Sequence, residues 1–129
     1  MSRLMIVSLI AVVFAIAGPG ALVFGDESNA PGERDLKVAE FYDRTGQTGS
    51  ASFYYELVQR RHPGTAFAQK ASQRIEVLKQ ATRDYDVAEF YHRAGHAASA
   101  NFYYELVVRR YPGTTFAMKA KERIEQPQK

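Results

Sequence analysis

The sequence predicts an all-α fold of antiparallel helical repeats, about five helices in all, after an apolar N-terminal segment. The first observation behind this prediction is an internal repeat: residues 35–76 align without a gap with residues 84–125, and 28 of the 42 aligned positions are identical. The second is that apolar residues recur at helical spacing, whereas no segment keeps the alternation of a β-strand. Repeats of roughly 20 to 50 residues are typical of stacked, solenoid-like architectures.

The N-terminal residues 1–25 are predicted to be a signal peptide or a signal anchor. Arg3 is followed by residues 4–24, which are uncharged and are interrupted by Gly-Pro-Gly at 18–20. A basic start, an apolar helix and a breaker before small residues are typical of a signal peptide, cut here before Asp26. Alternatively, the 21 uncharged residues could span a bilayer as an uncleaved anchor, the only membrane contact expected. Both alternatives predict export to the periplasm, because Arg3 prefers the cytoplasmic side.

The rest of the chain divides into a linker and a repeat domain. Residues 26–34 are polar and contain proline and glycine, as linkers do. Residues 35–126 are expected to form one domain of two units related by an offset of 49 residues, unit one (35–83) and unit two (84–126).

Each unit is expected to form three helices joined by two turns. In unit one, Gly46 should end the first helix in a left-handed conformation. The second helix should begin near Ser50, whose hydroxyl can accept a bond from a free N–H group. Pro63 should end this helix, and Thr65 should cap the third. The same residues recur 49 positions later, which places the equivalent start near Ser99.

The third helix of unit one is expected to be long, because residues 66–94 contain neither proline nor glycine. One continuous helix over this range would measure about 44 Å at 1.5 Å per residue. A break near residues 82–86 is the alternative, and the spacing of the apolar residues does not decide between the two.

The second helix of each unit carries three consecutive aromatic residues. In unit one, the broad apolar stripe expected to face the core consists of Phe53, Tyr54, Leu57 and Val58. Tyr55, like Tyr104 in unit two, lies at the edge of this stripe. These two tyrosines are therefore predicted to be the better candidates for exposed contacts with a partner.

A pair of arginines closes the second helix of both units, at Arg60 and Arg61 and at Arg109 and Arg110. Adjacent guanidinium groups could bind carboxylates of a partner protein. The alternative is structural, because cations near a helix C-terminus complement its negative end. The position at the helix end favours the structural role, and all four arginines remain candidate partner contacts.

The composition argues against most catalytic and ligand-binding classes. The chain has no cysteine, which excludes disulfides and thiolate chemistry. Its net charge of +3 arises from interspersed charges, so no nucleic-acid partner is expected. His92 and His96 have the spacing of zinc ligands on a helix, but Gly95 lies between them and no third ligand is evident. With no catalytic constellation, the sequence predicts a protein without enzymatic activity, metal or cofactor.

The two units resemble those of a known repeat family. The segments VAEFYDRTGQTGSASFYYELVQRRHPGT and VAEFYHRAGHAASANFYYELVVRRYPGT, with the A-x-x-R-I helix that follows each, are similar to the tetratricopeptide-like units of BamD (YfiO) outer-membrane assembly lipoproteins. The resemblance covers residues 35–125. It implies a non-catalytic helical scaffold of the cell envelope that binds other envelope proteins in outer-membrane protein assembly. The chain departs from the family in lacking a cysteine for lipid attachment and in showing fewer units than is typical.

Two other functions remain open from the sequence. One is a general periplasmic tetratricopeptide adaptor that is unrelated to outer-membrane assembly. The other is a structural module that self-associates as a homo-oligomer, because a stack of two units leaves apolar end faces uncovered where three or more repeats are usual.

Overall fold

The computed structural model describes residues 30–126, and these residues form five α-helices and no strand. In chain order the helices are α1 (Pro31–Arg44), α2 (Thr48–Arg61), α3 (Ala66–Arg93), α4 (Ala97–Arg110) and α5 (Thr115–Glu125). The predicted all-α fold of about five helices is confirmed. None of these helices is both long enough and apolar enough to cross a membrane. The predicted signal peptide or anchor at residues 1–25 lies outside the described residues.

The first helix, α1, begins inside the segment that the sequence predicts to be a linker. Pro31 is its first residue, a position where the missing N–H group costs no hydrogen bond. Glu33 lies in the first turn, where its carboxylate interacts favourably with the positive end of the helix dipole. The helix therefore takes in residues 31–34 of the predicted linker, and residues 26–29 of that linker lie outside the described part of the chain.

The first helix of each unit ends at a glycine, as predicted. Gly46 and Gly95 have φ angles of 81° and 79°, in the left-handed region that favours glycine. The N–H of Gly46 donates to the carbonyl of Asp43 at 3.2 Å, and the next N–H donates to the carbonyl of Tyr42 at 2.9 Å. These bonds satisfy carbonyl groups that would otherwise be left free at the helix end.

The second helices begin earlier than the sequence predicts. They start at Thr48 in α2 and at Ala97 in α4, so the predicted starts near Ser50 and Ser99 are wrong. Neither helix has a side-chain N-cap. The left-handed glycine turns the chain so sharply that the next helix begins two residues later, which leaves the serines inside its first turn.

The Pro-Gly-Thr turn acts as predicted in both units. The helix α2 ends two residues before Pro63, because the residue that precedes a proline is disfavoured in the helical conformation. The hydroxyl of Thr65 then accepts a hydrogen bond at 3.2 Å from the N–H group three residues later, and that of Thr114 accepts one at 3.1 Å. Both threonines are therefore N-caps of the helices that follow.

The helix α3 is continuous over its 28 residues, about 42 Å at 1.5 Å per residue. The alternative of a break near residues 82–86 is therefore wrong. The hydroxyl of Thr82 donates to the carbonyl of Leu78 at 2.7 Å, which satisfies this polar group without interrupting the helix. As a result, α3 is both the third helix of unit one and the first helix of unit two.

Each unit has its own apolar core. The core of unit one lies between α1, α2 and the first half of α3, and its buried residues are Leu36, Ala39, Ala51, Tyr55, Val58, Ala71, Ile75 and Leu78. The core of unit two consists of Ala81, Ala88, Ala100, Tyr104, Val107, Tyr111 and Ala120. Five of these positions are shared at the offset of 49 residues, so the repeated sequence builds a repeated core.

The two units also contact each other where the start of α5 lies against the end of α1. The hydroxyl of Thr115 donates to the carbonyl of Asp43 at 3.4 Å. Arg74 extends from α3 and donates to the carbonyl of Gly113 at 3.3 Å. Gly46 faces Thr115 so closely that a Cβ atom at position 46 would lie 3.2 Å from the threonine methyl group.

Candidate functional site

Tyr55 and Tyr104, which the sequence predicts as exposed contact residues, are buried. They are 2 % and 1 % exposed. In α2 the residues that face the core are Ala51, Tyr55 and Val58, which are spaced four and three residues apart and therefore lie on one face of the helix. The predicted exposure of both tyrosines is therefore wrong.

In unit one the buried tyrosine is held by an aspartate and an arginine. The hydroxyl of Tyr55 donates to Asp43 Oδ2 at 3.0 Å, and Arg74 Nε donates to the same oxygen at 2.5 Å. Burial raises the pKa of Tyr55 far above its usual range, and the charge of Asp43 raises it further. The hydrogen bond to Asp43 also raises the pKa of Arg74. Asp43 is itself buried, so these two donors replace the water that its carboxylate loses.

In unit two the same arrangement is built on a different carboxylate. The residue aligned with Asp43 is His92, and the hydroxyl of Tyr104 instead donates at 2.7 Å to Glu89, one helical turn earlier. Arg123 donates to both oxygens of Glu89, at 3.0 and 3.2 Å. Burial raises the pKa of Glu89, but the bonds from the tyrosines and the charge of Arg123 outweigh it and hold this pKa below its usual range.

The second arginine of each pair forms an ion pair with the first helix of its unit. Arg61 lies 3.5 Å from Asp35, and Arg110 lies 3.6 Å from Asp84, which is the aligned aspartate. Both arginines are well exposed. The hydrogen bond from the neighbouring His62, with its contacts to Arg61, lowers the pKa of Asp35 against the effect of burial.

The first arginine of each pair is oriented differently. Arg60 and Arg109 are exposed in the last turn of their helices and form no ion pair with any residue between 30 and 126. They complement the helix dipole from the surface, as the structural alternative requires. Their contact with a partner protein, like that of Arg61 and Arg110, stays a prediction.

Exposed phenylalanines form part of a surface feature that the sequence prediction missed. In unit one, four rings lie in a row from the last turn of α1 to the middle of α2. We call this row the first aromatic ladder, and it consists of Phe41, Tyr42, Tyr54 and Phe53. The two tyrosine rings are stacked, with centroids 5.1 Å apart and planes 7° apart. Each phenylalanine packs edge-on against its neighbouring tyrosine, at 5.6 and 5.4 Å.

Unit two repeats this row. The second aromatic ladder consists of Phe90, Tyr91, Tyr103 and Phe102. Its tyrosine rings are also stacked, at 5.4 Å and 10°, and both phenylalanines again pack edge-on. Two copies of the same four-ring arrangement at the offset of 49 residues indicate that the geometry follows from the repeated sequence.

The outer rings of both ladders are exposed. Phe41 and Phe53 are 54 % and 53 % exposed, and Phe90 and Phe102 are 61 % and 55 % exposed. The prediction that Phe53 faces the core is therefore wrong, because Tyr55 takes the core position of this helix. Exposed apolar clusters on a small protein commonly mark surfaces that bind another protein or a membrane.

A groove lies beside the buried tyrosine of unit one. It has a volume of about 460 Å³ and opens between α1 and the first half of α3. Leu36 and Tyr55 form its apolar side, and Glu40, Lys70 and Arg74 are among its charged residues. Ligand sites in proteins commonly combine apolar walls with a few polar groups that fix the orientation of what they bind.

The histidines that have metal-ligand spacing lie against aromatic rings. The ring of His92 packs edge-on against Tyr104 at 6.2 Å, and that of His96 packs edge-on against Tyr91 at 6.3 Å. Between residues 30 and 126, no group of three His, Asp or Glu side chains is placed to hold a metal ion.

The antiparallel helices, the repeated cores and the repeated exposed ladders define a tetratricopeptide-like protein. A model of the family described as "Outer membrane lipoprotein" (YfiO) matches residues 33–129, which is most of the chain. The chain therefore belongs to the YfiO family, which confirms the resemblance seen in the sequence and places the protein in the cell envelope. No curated protein and no solved structure matches the chain.

Proposed function

We propose that this protein is a non-catalytic scaffold that binds other envelope proteins in the assembly of the outer membrane. Membership of the YfiO family supports the setting. The repeated helical architecture supports the scaffold role, because helical repeats present extended surfaces on rigid elements.

The observation that carries this proposal is the pair of exposed aromatic ladders. Each ladder places two phenylalanines beside stacked tyrosines, and more than half of each phenylalanine is exposed. Covering one such phenylalanine contributes about 1 kcal/mol to association, since full burial of this side chain is worth roughly 1.5–3 kcal/mol. Four of them supply a substantial share of the free energy of a protein contact.

The arrangement of the ladders also favours a protein partner. Rigid aromatic rings lose little conformational entropy on binding and are the residues most enriched at the centres of protein interfaces. The stacking within each ladder fixes the rings before a partner arrives, which reduces the cost of ordering them.

Site-specific photo-crosslinking in cells tests this function. A photoreactive phenylalanine analogue replaces Phe53 in one strain and Phe102 in another, because both positions are exposed and already aromatic. Crosslinked proteins are identified by mass spectrometry. We expect proteins of outer-membrane assembly to be recovered from both strains.

A third strain carries the same analogue at Lys79, an exposed position on α3, as the matched control. Recovery of the same proteins there at equal yield would contradict the proposed surface. If only envelope proteins unrelated to outer-membrane assembly are crosslinked at the ladders, the protein is a general adaptor. If only this chain is crosslinked, the protein is a self-associating module.

A further inference from the structure

One aligned position differs between the two units in a way that changes their surfaces. Unit one has Leu36 where unit two has Tyr85. The ring of Tyr85 lies 5.8 Å from that of Tyr104 and 5.7 Å from that of Phe116. Burial raises the pKa of Tyr85, while a hydrogen bond with Arg123 lowers it and one with Glu89 raises it.

The residues that surround Tyr85 have counterparts in unit one. Tyr104, Glu89 and Arg123 align with Tyr55, Glu40 and Arg74, and all three counterparts line the groove of about 460 Å³. Leu36 lies on the same wall of this groove and has neither a ring nor a hydroxyl group. The groove in unit one is therefore lined by the counterparts of residues that surround the phenol of Tyr85 in unit two.

The charged groups of the groove are arranged to receive a donor. In unit two, Glu89 accepts hydrogen bonds from both Tyr104 and Arg123. In unit one the equivalent tyrosine and arginine bond to Asp43 instead, as described above. Glu40 keeps only a contact of 3.9 Å with the well-exposed Lys70 among residues 30–126, so its carboxylate is free to accept another hydrogen bond.

We propose that this groove binds the side chain of a tyrosine on a partner protein, with the ring against the wall that Leu36 and Tyr55 form and the hydroxyl donating to Glu40. The chain itself supplies a partial template for this complex, because the ring of Tyr85 lies against Tyr104, the counterpart of Tyr55, within unit two. The inference extends the proposed scaffold function, since the tyrosine belongs to one of the envelope proteins that the scaffold binds.

The test is a titration of the full chain with N-acetyl-tyrosinamide, followed by NMR chemical shifts. We expect the resonances of Leu36 and Tyr55 to shift in a saturable manner. N-acetyl-phenylalaninamide should bind at least about 10-fold more weakly, because it lacks the hydrogen bond to a charged acceptor. Equal affinity for the two probes, or no saturable shift at the groove, would overturn the proposal.

Two variants of unit one locate the site. Leu36→Tyr fills the groove with the residue that unit two already carries, so this variant should fold and should lose binding of the tyrosine probe. Glu40→Ala should keep the groove but remove the preference for tyrosine over phenylalanine. Unchanged binding by Leu36→Tyr would contradict the site, and an unchanged preference in Glu40→Ala would contradict the role of the carboxylate.

The matched control lies in unit two. Tyr85→Leu removes the internal phenol and should create a second site that shifts the resonance of Tyr104 when the tyrosine probe is added. Failure to gain this site would contradict the equivalence of the two positions. These results are independent of the crosslinking experiment. If partners are crosslinked at the ladders but the tyrosine probe does not bind the groove, the scaffold function is supported and the tyrosine groove is rejected.

Discussion

At the scale of single residues, each unit has a buried tyrosine whose hydroxyl donates to a carboxylate. The carboxylate belongs to a different aligned position in each unit. Asp43 accepts the hydrogen bond of Tyr55 in unit one. Glu89 accepts that of Tyr104 in unit two, one turn earlier in the aligned helix. The two positions project toward the same buried hydroxyl because residues three apart lie on one side of a helix. The duplicated units have thus kept the contact but changed the residue that makes it.

This difference predicts unequal costs for removing the hydroxyl groups. Tyr55→Phe leaves the buried carboxylate of Asp43 with one donor fewer, and we expect it to lower the free energy of unfolding by about 1–3 kcal/mol. Tyr104→Phe should cost about 0.5–1.5 kcal/mol, because Glu89 is more exposed and keeps two bonds from Arg123. Urea denaturation of both variants measures the difference. A larger cost for Tyr104→Phe would contradict this assignment.

The lowered pKa of Glu89 predicts how the stability of unit two depends on pH. The folded-state pKa lies below the unfolded value of about 4.3, so the folded protein is stabilised above that pH by keeping this group charged. This stabilisation is lost as the pH falls through the folded-state pKa. We expect Glu89→Gln to flatten the fall of Tm below about pH 4.3, measured by circular dichroism. If the Tm of Glu89→Gln falls with decreasing pH as steeply as that of the unsubstituted protein, Glu89 is not the source of this pH dependence.

The sequence does not predict correctly which aromatic residues of α2 face the core. Phe53 and Tyr55 both lie at helical spacing from other apolar residues, and the greater hydrophobicity of phenylalanine favours placing it in the core. The structure buries Tyr55 because Asp43, from another helix, accepts a hydrogen bond from its hydroxyl and is itself held by Arg74. A pattern within one helix contains no information about such an acceptor, so the exposed ladders could not be predicted from it.

At the scale of the helices and turns, prediction succeeds where a residue acts on its own backbone. Gly46 and Thr65 determine a left-handed turn and an N-cap through local geometry, and both are found as expected. The start of α2 was misplaced because a serine can cap a helix but does so only if the preceding turn leaves it at the boundary. The continuity of α3 depends on packing in both units and was therefore left open by the sequence.

The glycines that end α1 and α3 provide a matched pair of predictions. Gly95→Ala should cost about 1–2 kcal/mol, the penalty of a left-handed conformation, because the space around it is open. Gly46→Ala should cost more, because its new methyl group would also press against Thr115. Adding Thr115→Ser should recover part of this excess, measured by thermal denaturation. Equal costs for the two alanine variants would contradict close packing between the units.

The two threonine N-caps differ in burial, so we expect them to contribute differently to the free energy of unfolding. Thr114 is fully buried, and its hydroxyl both accepts from the N–H of Ala117 and donates to the carbonyl of Tyr111 at 2.7 Å. Thr114→Ala should cost about 2 kcal/mol, whereas Thr65→Ala, at an exposed cap, should cost about 1 kcal/mol. Chemical denaturation of the two variants measures these costs. A larger cost for Thr65→Ala than for Thr114→Ala would show that burial does not strengthen the cap.

At the scale of the whole molecule, the repeat explains most of what was predictable. The identical residues at the offset of 49 imply two similar cores and one architecture, and the structure contains both. The contact between units was not predictable, because it joins the end of α1 to the start of α5 through residues that are far apart in sequence.

The central claim is that the ladders are the surface by which this scaffold binds envelope proteins. The most direct measurement is affinity purification of crosslinked complexes from cells that express a variant in which Phe41, Phe53, Phe90 and Phe102 are all replaced by serine. These side chains are at least half exposed, so the variant should keep its helical circular dichroism and melt cooperatively. We expect the envelope partners found with the unsubstituted protein to be lost. A folded variant that still recovers the same partners at the same yield would contradict the claim.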